Sequence, residues 1–489
     1  WLKLVGFLGM AQRGPTPMQV ESSSSTRARP PACDFKKLTS TVAGVVLFSA
    51  VTVGIVGYGS ALALNRKTVD SSFNCTTDLL LSSSMAKPQG KGLAMDDATF
   101  SQCSSKIPVR WPNTHEDVTS LRLFKAWDSQ FPASNRQRAW NDVIQYARTR
   151  GAKILIGTQI SCDAGDDEKD WQQVLSLLNQ LGSNNTLAVA IGNEIELLSA
   201  KSGTTEKCVE DLWVNGQFFS RVMKRVKDLD DAGFQHVQLT TAMTSAVFAP
   251  AGNAKPFMDD PKRALVNTFL QNVTTTLKDR WTFSWNIYPY FDPNLHLDGN
   301  GKTCSTALRT ASDFSSSGYV PSILVAARER MAKLTGSSKD RMWVTETGWS
   351  SPKAKTLDTV VGWCKDWNSA EALRDYYEGF LAWDLDIGNG DVGPERVFFF
   401  SGRDTTNFGI REYFGLIPDC NSTQCKLNTS TCSGQSPAGG GSGSGSGSDE
   451  GGRGSGSGSG SGKGSGSDEG KGSGSDEGKG SGSDEGKGS

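Results

Sequence analysis

Two glutamates stand where an apolar run gives way to polar residues: Glu194 ends Ala190-Ile191-Gly192-Asn193-Glu194, and Glu346 lies within Trp343-Val344-Thr345-Glu346-Thr347-Gly348-Trp349. The preceding runs read as buried strands, so each carboxylate would emerge at a strand end. Two carboxylates delivered to one rim by separate strands are what glycoside hydrolysis needs, one to protonate the leaving oxygen and one to meet the sugar carbon. Asn193 adds an amide able to hold a sugar 2-OH, a contact that tightens as positive charge develops on the ring. Trp349 offers a flat apolar face for a pyranose or a block of core. Arg122, closing another strand-like run, orients Glu346, binds sugar or only pairs structurally. Trp127, Trp285, Tyr290 and Phe291 suit further subsites but individually fit packing better, and Glu196 is a secondary carboxylate near the same rim.

Positioning these groups requires strands that all end on one face. Eight strand-like runs are present: Gly92–Met95, Ser120–Phe124, Lys153–Gly157, Leu187–Ile191, Val237–Thr241, Thr282–Ile287, Met342–Thr345 and Arg396–Phe400. Helical patterns separate most of them, at Arg136–Arg150, Lys169–Leu181, Val209–Leu229, Lys262–Lys278, Val320–Leu334 and Ala370–Leu385. Alternation of this kind argues for parallel βα units, and eight of them fit a closed (β/α)8 TIM barrel whose chemistry gathers at the C-terminal strand ends. Glu194 then follows the fourth strand and Glu346 the seventh.

Three ordered segments, Ile191-Gly192-Asn193-Glu194, Asn286-Ile287-Tyr288-Pro289-Tyr290-Phe291 and Thr345-Glu346-Thr347-Gly348-Trp349-Ser350, resemble glycoside hydrolase family 17, the β-1,3-glucanases. The likeness runs from about Lys91 to Pro418 and includes Tyr413-Phe414-Gly415-Leu416. It implies a retaining mechanism with Glu194 as acid/base and Glu346 as nucleophile, and it implies that Tyr288 donates its hydroxyl to the nucleophile. One departure stands out. Many members carry an acid and a lysine after the eighth strand, where this chain has Phe400-Ser401-Gly402-Arg403-Asp404-Thr405-Thr406-Asn407; Asp404 is the candidate to replace the acid, and the lysine is missing.

The rest of the chain bounds the setting. Of 489 residues, 41–64 form an uncharged run of 24, long enough to cross a bilayer of roughly 30 Å. Preceding Arg27, Arg29, Lys36 and Lys37 favour a single-pass type II anchor with the body extracellular or lumenal; cleavage near Ala63 would instead release it. The expected organisation is a disordered cytoplasmic tail at 1–40, the anchor at 41–64, a linker at 65–90, the catalytic domain at 91–432 and a disordered Gly/Ser-rich tail at 433–489. All five Asn-x-Ser/Thr sequons follow the anchor, as do nine of ten cysteines, a usage suited to disulfides in an oxidising compartment. Cys420, Cys425 and Cys432 lack a fourth nearby ligand, so neither a metal nor another cofactor is expected. A net charge of −1 gives no case for a nucleic-acid partner. The expected partner is a β-glucan polysaccharide or oligosaccharide. The expected activity is endo-β-1,3-glucan hydrolysis, with transglycosylation, mixed-linkage cleavage and a catalytically silent carbohydrate-binding surface protein as alternatives.

Overall fold

The apolar runs become eight parallel strands: β1 Lys91–Met95, β2 Ser120–Leu123, β3 Lys153–Thr158, β4 Thr186–Asn193, β5 Gln238–Thr244, β6 Phe283–Asn286, β7 Met342–Thr347 and β8 Arg396–Phe399. Each pairs with its neighbours in chain order, and β8 returns to β1 through Lys91↔Val397, Gly92↔Phe398 and Leu93↔Phe399, which closes the barrel. This computed structural model describes residues 86–201, 203–248, 255–292, 303–352, 364–407 and 410–427. The expected anchor at 41–64 and the Gly/Ser tail lie outside the described residues. Among those described, no helix is long and apolar enough to cross a membrane.

Alternation along the strands splits the core. Inside the barrel, Leu155, Ala188, Ala190, Trp343 and Phe398 form one buried cluster. Two alanines on β4 leave room for the Trp343 and Phe398 rings, the large-against-small filling that a barrel interior requires. The outward residues join a larger core under the helices, whose amphipathic faces supply Trp140, Val143, Trp171, Leu178, Val222, Leu324, Tyr376 and Phe380. This burial, at about 25 cal/mol per Å2 of apolar surface, is the main stabilising term.

The helices around the barrel match the sequence pattern with three additions. The expected helix over 209–229 is two, Glu206–Trp213 and Gln217–Asp231, because Gly216 takes a left-handed conformation (φ +71°) between them. Two short helices, Asp97–Cys103 and Cys304–Ser312, escape the periodicity because they are two or three turns long. Disulfides join Cys103 to Cys420, Cys162 to Cys208 and Cys304 to Cys364, and Cys425 is also disulfide-bonded. The second of these pins the insert after β4 to the loop after β3.

Candidate active site

Both carboxylates sit where strand pairing slips. The register of β4 against β5 shifts between Ala190 and Asn193, and β7 shifts against both neighbours, next to Glu346. Such irregularities at a barrel rim re-aim side chains that a regular strand would point elsewhere. At β4 the slip needs Gly192 at φ +87° and Glu194 itself in the left-handed region at φ +54°. A non-glycine residue there is held by its surroundings at some energetic cost, a pattern found at functional sites. Here the Glu194 N–H donates to Ala242 O at 2.7 Å, and Thr241 Oγ1 donates to Ile191 O at 2.7 Å, so β5 holds the turn.

One amide joins the two acids. Asn286, the last residue of β6, donates through Nδ2 to Glu194 Oε1 at 2.8 Å and to Glu346 Oε1 at 2.9 Å. The sum of those distances is an upper bound on the separation of the two oxygens. It falls short of the roughly 6.5 Å at which inverting pairs begin and lies close to the roughly 5–5.5 Å of retaining pairs. Thr345 Oγ1 donates to Asn286 Oδ1 at 2.8 Å, which fixes the orientation of the amide.

Glu346 is held from three sides. Arg122 Nη1 meets its Oε1 at 2.9 Å in a buried ion pair, and Tyr288 donates its hydroxyl to Oε2 at 2.7 Å. Arg122 Nη1 also donates to Thr345 O at 2.6 Å and Nη2 to Asn193 Oδ1 at 2.8 Å, while Phe124 lies 4.3 Å from the guanidinium carbon. Of the three roles open to Arg122 from sequence, these contacts agree with orientation of Glu346 and with structural pairing. The Tyr288 hydroxyl is pushed well above its ordinary range by burial and then by the charge of Glu346, so it stays a donor.

Glu194 sits in the opposite electrostatic setting. Burial first, and then the negative charge of Glu346, raise its carboxyl well above the ordinary range, with the Asn286 hydrogen bond opposing. Two neighbouring acids whose surroundings differ in this way can divide acid and nucleophile roles between them.

Trp349 departs from expectation. It is fully buried, in edge and tilted contacts with Tyr290, Trp367 and Tyr376, with Nε1 donating to Trp367 O at 2.8 Å. No face is left for a sugar, so its role is packing. Trp349→Ala is expected to lower stability by about 3–5 kcal/mol in urea unfolding, with KM of the folded fraction unchanged. Trp127, Trp285 and Tyr290 are likewise buried. The partly exposed rings near the carboxylates are Phe124, Tyr288 and Phe291, in edge and tilted contacts with Phe400 and Phe414. Asp404 does not serve as a spare acid: its Oδ1 accepts from Lys426 Nζ at 2.6 Å and from Gly415 N at 2.8 Å, which ties down the Tyr413–Leu416 segment.

Asn286 is the site residue that sequence reasoning passed over, although it opens the Asn286–Phe291 motif; its place at the end of β6 was the available signal. Among the described residues no cluster of His, Cys, Asp and Glu could hold a metal ion.

No protein-family model and no curated protein matches the chain. Solved structures resemble it at low identity. CJP38, a beta-1,3-glucanase and allergen of Cryptomeria japonica pollen, aligns at TM-score 0.45 and 16% identity over 67% of this chain and 95% of that one. One of two plant beta-glucan endohydrolases with distinct substrate specificities aligns at TM-score 0.44 and 15% identity, over 67% and 96%. A beta-glucosidase from Exiguobacterium marinum gives TM-score 0.41 and 11% identity, over 70% and 97%. Likeness at this level carries no weight for the chemistry, which rests on the side chains described above.

Proposed function

We propose that this chain is a retaining glycoside hydrolase of the family 17 type, cleaving internal β-1,3-glucosidic bonds of a glucan. The observation that carries the reading is the pair of acids at the ends of β4 and β7, bridged by the Asn286 amide at 2.8 and 2.9 Å. In the first step the Glu346 carboxylate attacks the anomeric carbon while Glu194 gives its proton to the glycosidic oxygen. The C–O bond breaks, the leaving sugar departs as an alcohol, and a glycosyl ester remains on Glu346. In the second step Glu194, now ionised, takes a proton from water, and the water oxygen displaces Glu346 from the same carbon. Two inversions give net retention, and both acids return to their starting states.

Arg122 and Tyr288 aim the Glu346 oxygens, and the charge of Arg122 offsets that of the carboxylate. Asn193, whose Oδ1 accepts from Arg122, is the proposed partner of the sugar 2-OH. Tyr288→Phe deletes one hydrogen bond to a charged acceptor, about 1.5–3 kcal/mol, and kcat on laminarin is expected to fall roughly 10- to 100-fold. An unchanged kcat would remove Tyr288 from the site.

The linkage rests on the motif resemblance and is tested by product analysis. Laminarin should yield internal fragments, with slower cleavage of mixed-linkage glucan and none of cellulose. Products longer than the input would make the chain a transglycosylase, in which a sugar hydroxyl takes the place of water. Binding without turnover would make it a carbohydrate-binding protein.

A further inference from the structure

We propose that Glu196, on the insert that follows β4, is a positioning residue for Glu194: it clamps the Glu194 turn to β5, and its charge bears on the pH range over which Glu194 serves as acid. This rests on the assignment of Glu194 as the acid/base.

The clamp is geometric. Glu194 opens a 3-10 turn, Ile195–Ala200, from its left-handed conformation. Two residues on, Glu196 reaches across to the end of β5, where its Oε1 accepts from Thr244 N at 2.6 Å and Thr244 Oγ1 at 2.9 Å. Thr244 is two residues beyond Ala242, whose carbonyl accepts the Glu194 N–H. The acid is thus held to β5 on both sides of its own turn. Packing alone does not ask for a carboxylate at 196: the side chain is 3% exposed, and its Oε2 is buried with no hydrogen-bond partner among the described residues. A buried carboxyl with one oxygen unsatisfied is costly.

The charges act on Glu194 in opposite directions. Negative charge on Glu196 disfavours ionisation of Glu194, and the Lys201 ammonium favours it. Burial lowers the Lys201 ammonium from its ordinary range, the charges of Glu194 and Glu196 oppose that, and Lys125, two residues beyond β2, adds to the lowering. The other groups facing Glu194 are Glu346 from β7, the Asn286 amide, and Tyr288 beyond β6. Burial pushes the Glu196 carboxyl up to about 7, with the Thr244 hydrogen bonds opposing. Its charge therefore appears near neutrality, where it resists the loss of the Glu194 proton and extends the working range upward, as coupled sites do.

The test is the pH profile of kcat/KM on laminarin, a neutral substrate, for the full chain and for Glu196→Gln and Lys201→Met. The glutamine keeps an oxygen acceptor for Thr244 but loses the charge, so the alkaline limb should move to lower pH by about half a unit to one unit. Lys201→Met should move the same limb to higher pH, and the double variant should fall between the two. A merely structural role would lower kcat without displacing the limb. Limbs that stay fixed, or that move in the same direction in both single variants, overturn the inference. Should Glu196→Gln fail to fold, Lys201→Met alone decides, by an upward displacement or its absence. Failure of the underlying assignment looks different: the unaltered chain would not turn over glucan, or Glu194→Ala would leave turnover intact.

Discussion

Glu346→Ala is expected to lower turnover of a β-1,3-glucan by about four orders of magnitude or more, equivalent to roughly 5.5 kcal/mol of transition-state stabilisation. Arg122 and Tyr288 both position this carboxylate, at 2.9 and 2.7 Å. Without it no ester forms, and the remaining acid cannot by itself make a nucleophile on the opposite face. The same geometry gives the variant a signature beyond inactivity. Truncation leaves a pocket lined by a guanidinium and a phenol, suited to a small anion, so azide should restore cleavage of an activated β-glucoside and yield the α-glycosyl azide. Circular dichroism should match the parent. A folded variant within tenfold of parental turnover would remove Glu346 from the reaction.

Glu194→Ala should cost about 10^2- to 10^4-fold on laminarin, but far less in the first step with a dinitrophenyl glucoside, whose leaving group needs no proton. Azide should then give the β-glycosyl azide, opposite in configuration to the product of the Glu346 variant. The pH dependence follows from the site. Burial, and then the charge of Glu346, hold the Glu194 carboxyl well above the ordinary range. The protonated form therefore persists at pH values where an exposed glutamate has already ionised. Activity should hold toward neutrality and fall as pH rises through the raised value, and this alkaline limb should vanish in the alanine variant with the activated substrate. Equal losses on both substrates would mean that Glu194 does not supply the proton.

Much of the scaffold was legible because a parallel barrel repeats a simple pattern. Its strands are largely buried on both faces and so read as short, mostly apolar runs, which is why all eight expected runs overlap with strands. Short helices such as Asp97–Cys103 offer too few turns for a period to emerge, and the break at Gly216 depended on one backbone angle. The two glutamates were legible because each follows such a run. Their neighbours were less so. Trp349 has the composition of a sugar platform, but whether an aromatic ring faces a cleft or a core depends on which helix covers it, and here residues 367 and 376 do. Asn286 and Glu196 act through contacts to other strands, and a contact between strand ends is written in register shifts that one strand's sequence does not contain.

The separation of the two acids has one direct chemical consequence, the configuration of the bond that is made. Proton NMR of a β-1,3-gluco-oligosaccharide digest, recorded within minutes and before mutarotation, reads the anomer at the newly freed reducing end. The β anomer should appear first, because a retaining pair inverts the carbon twice. First appearance of the α anomer would mean a single displacement by water, which contradicts the assignment of Glu346 as nucleophile.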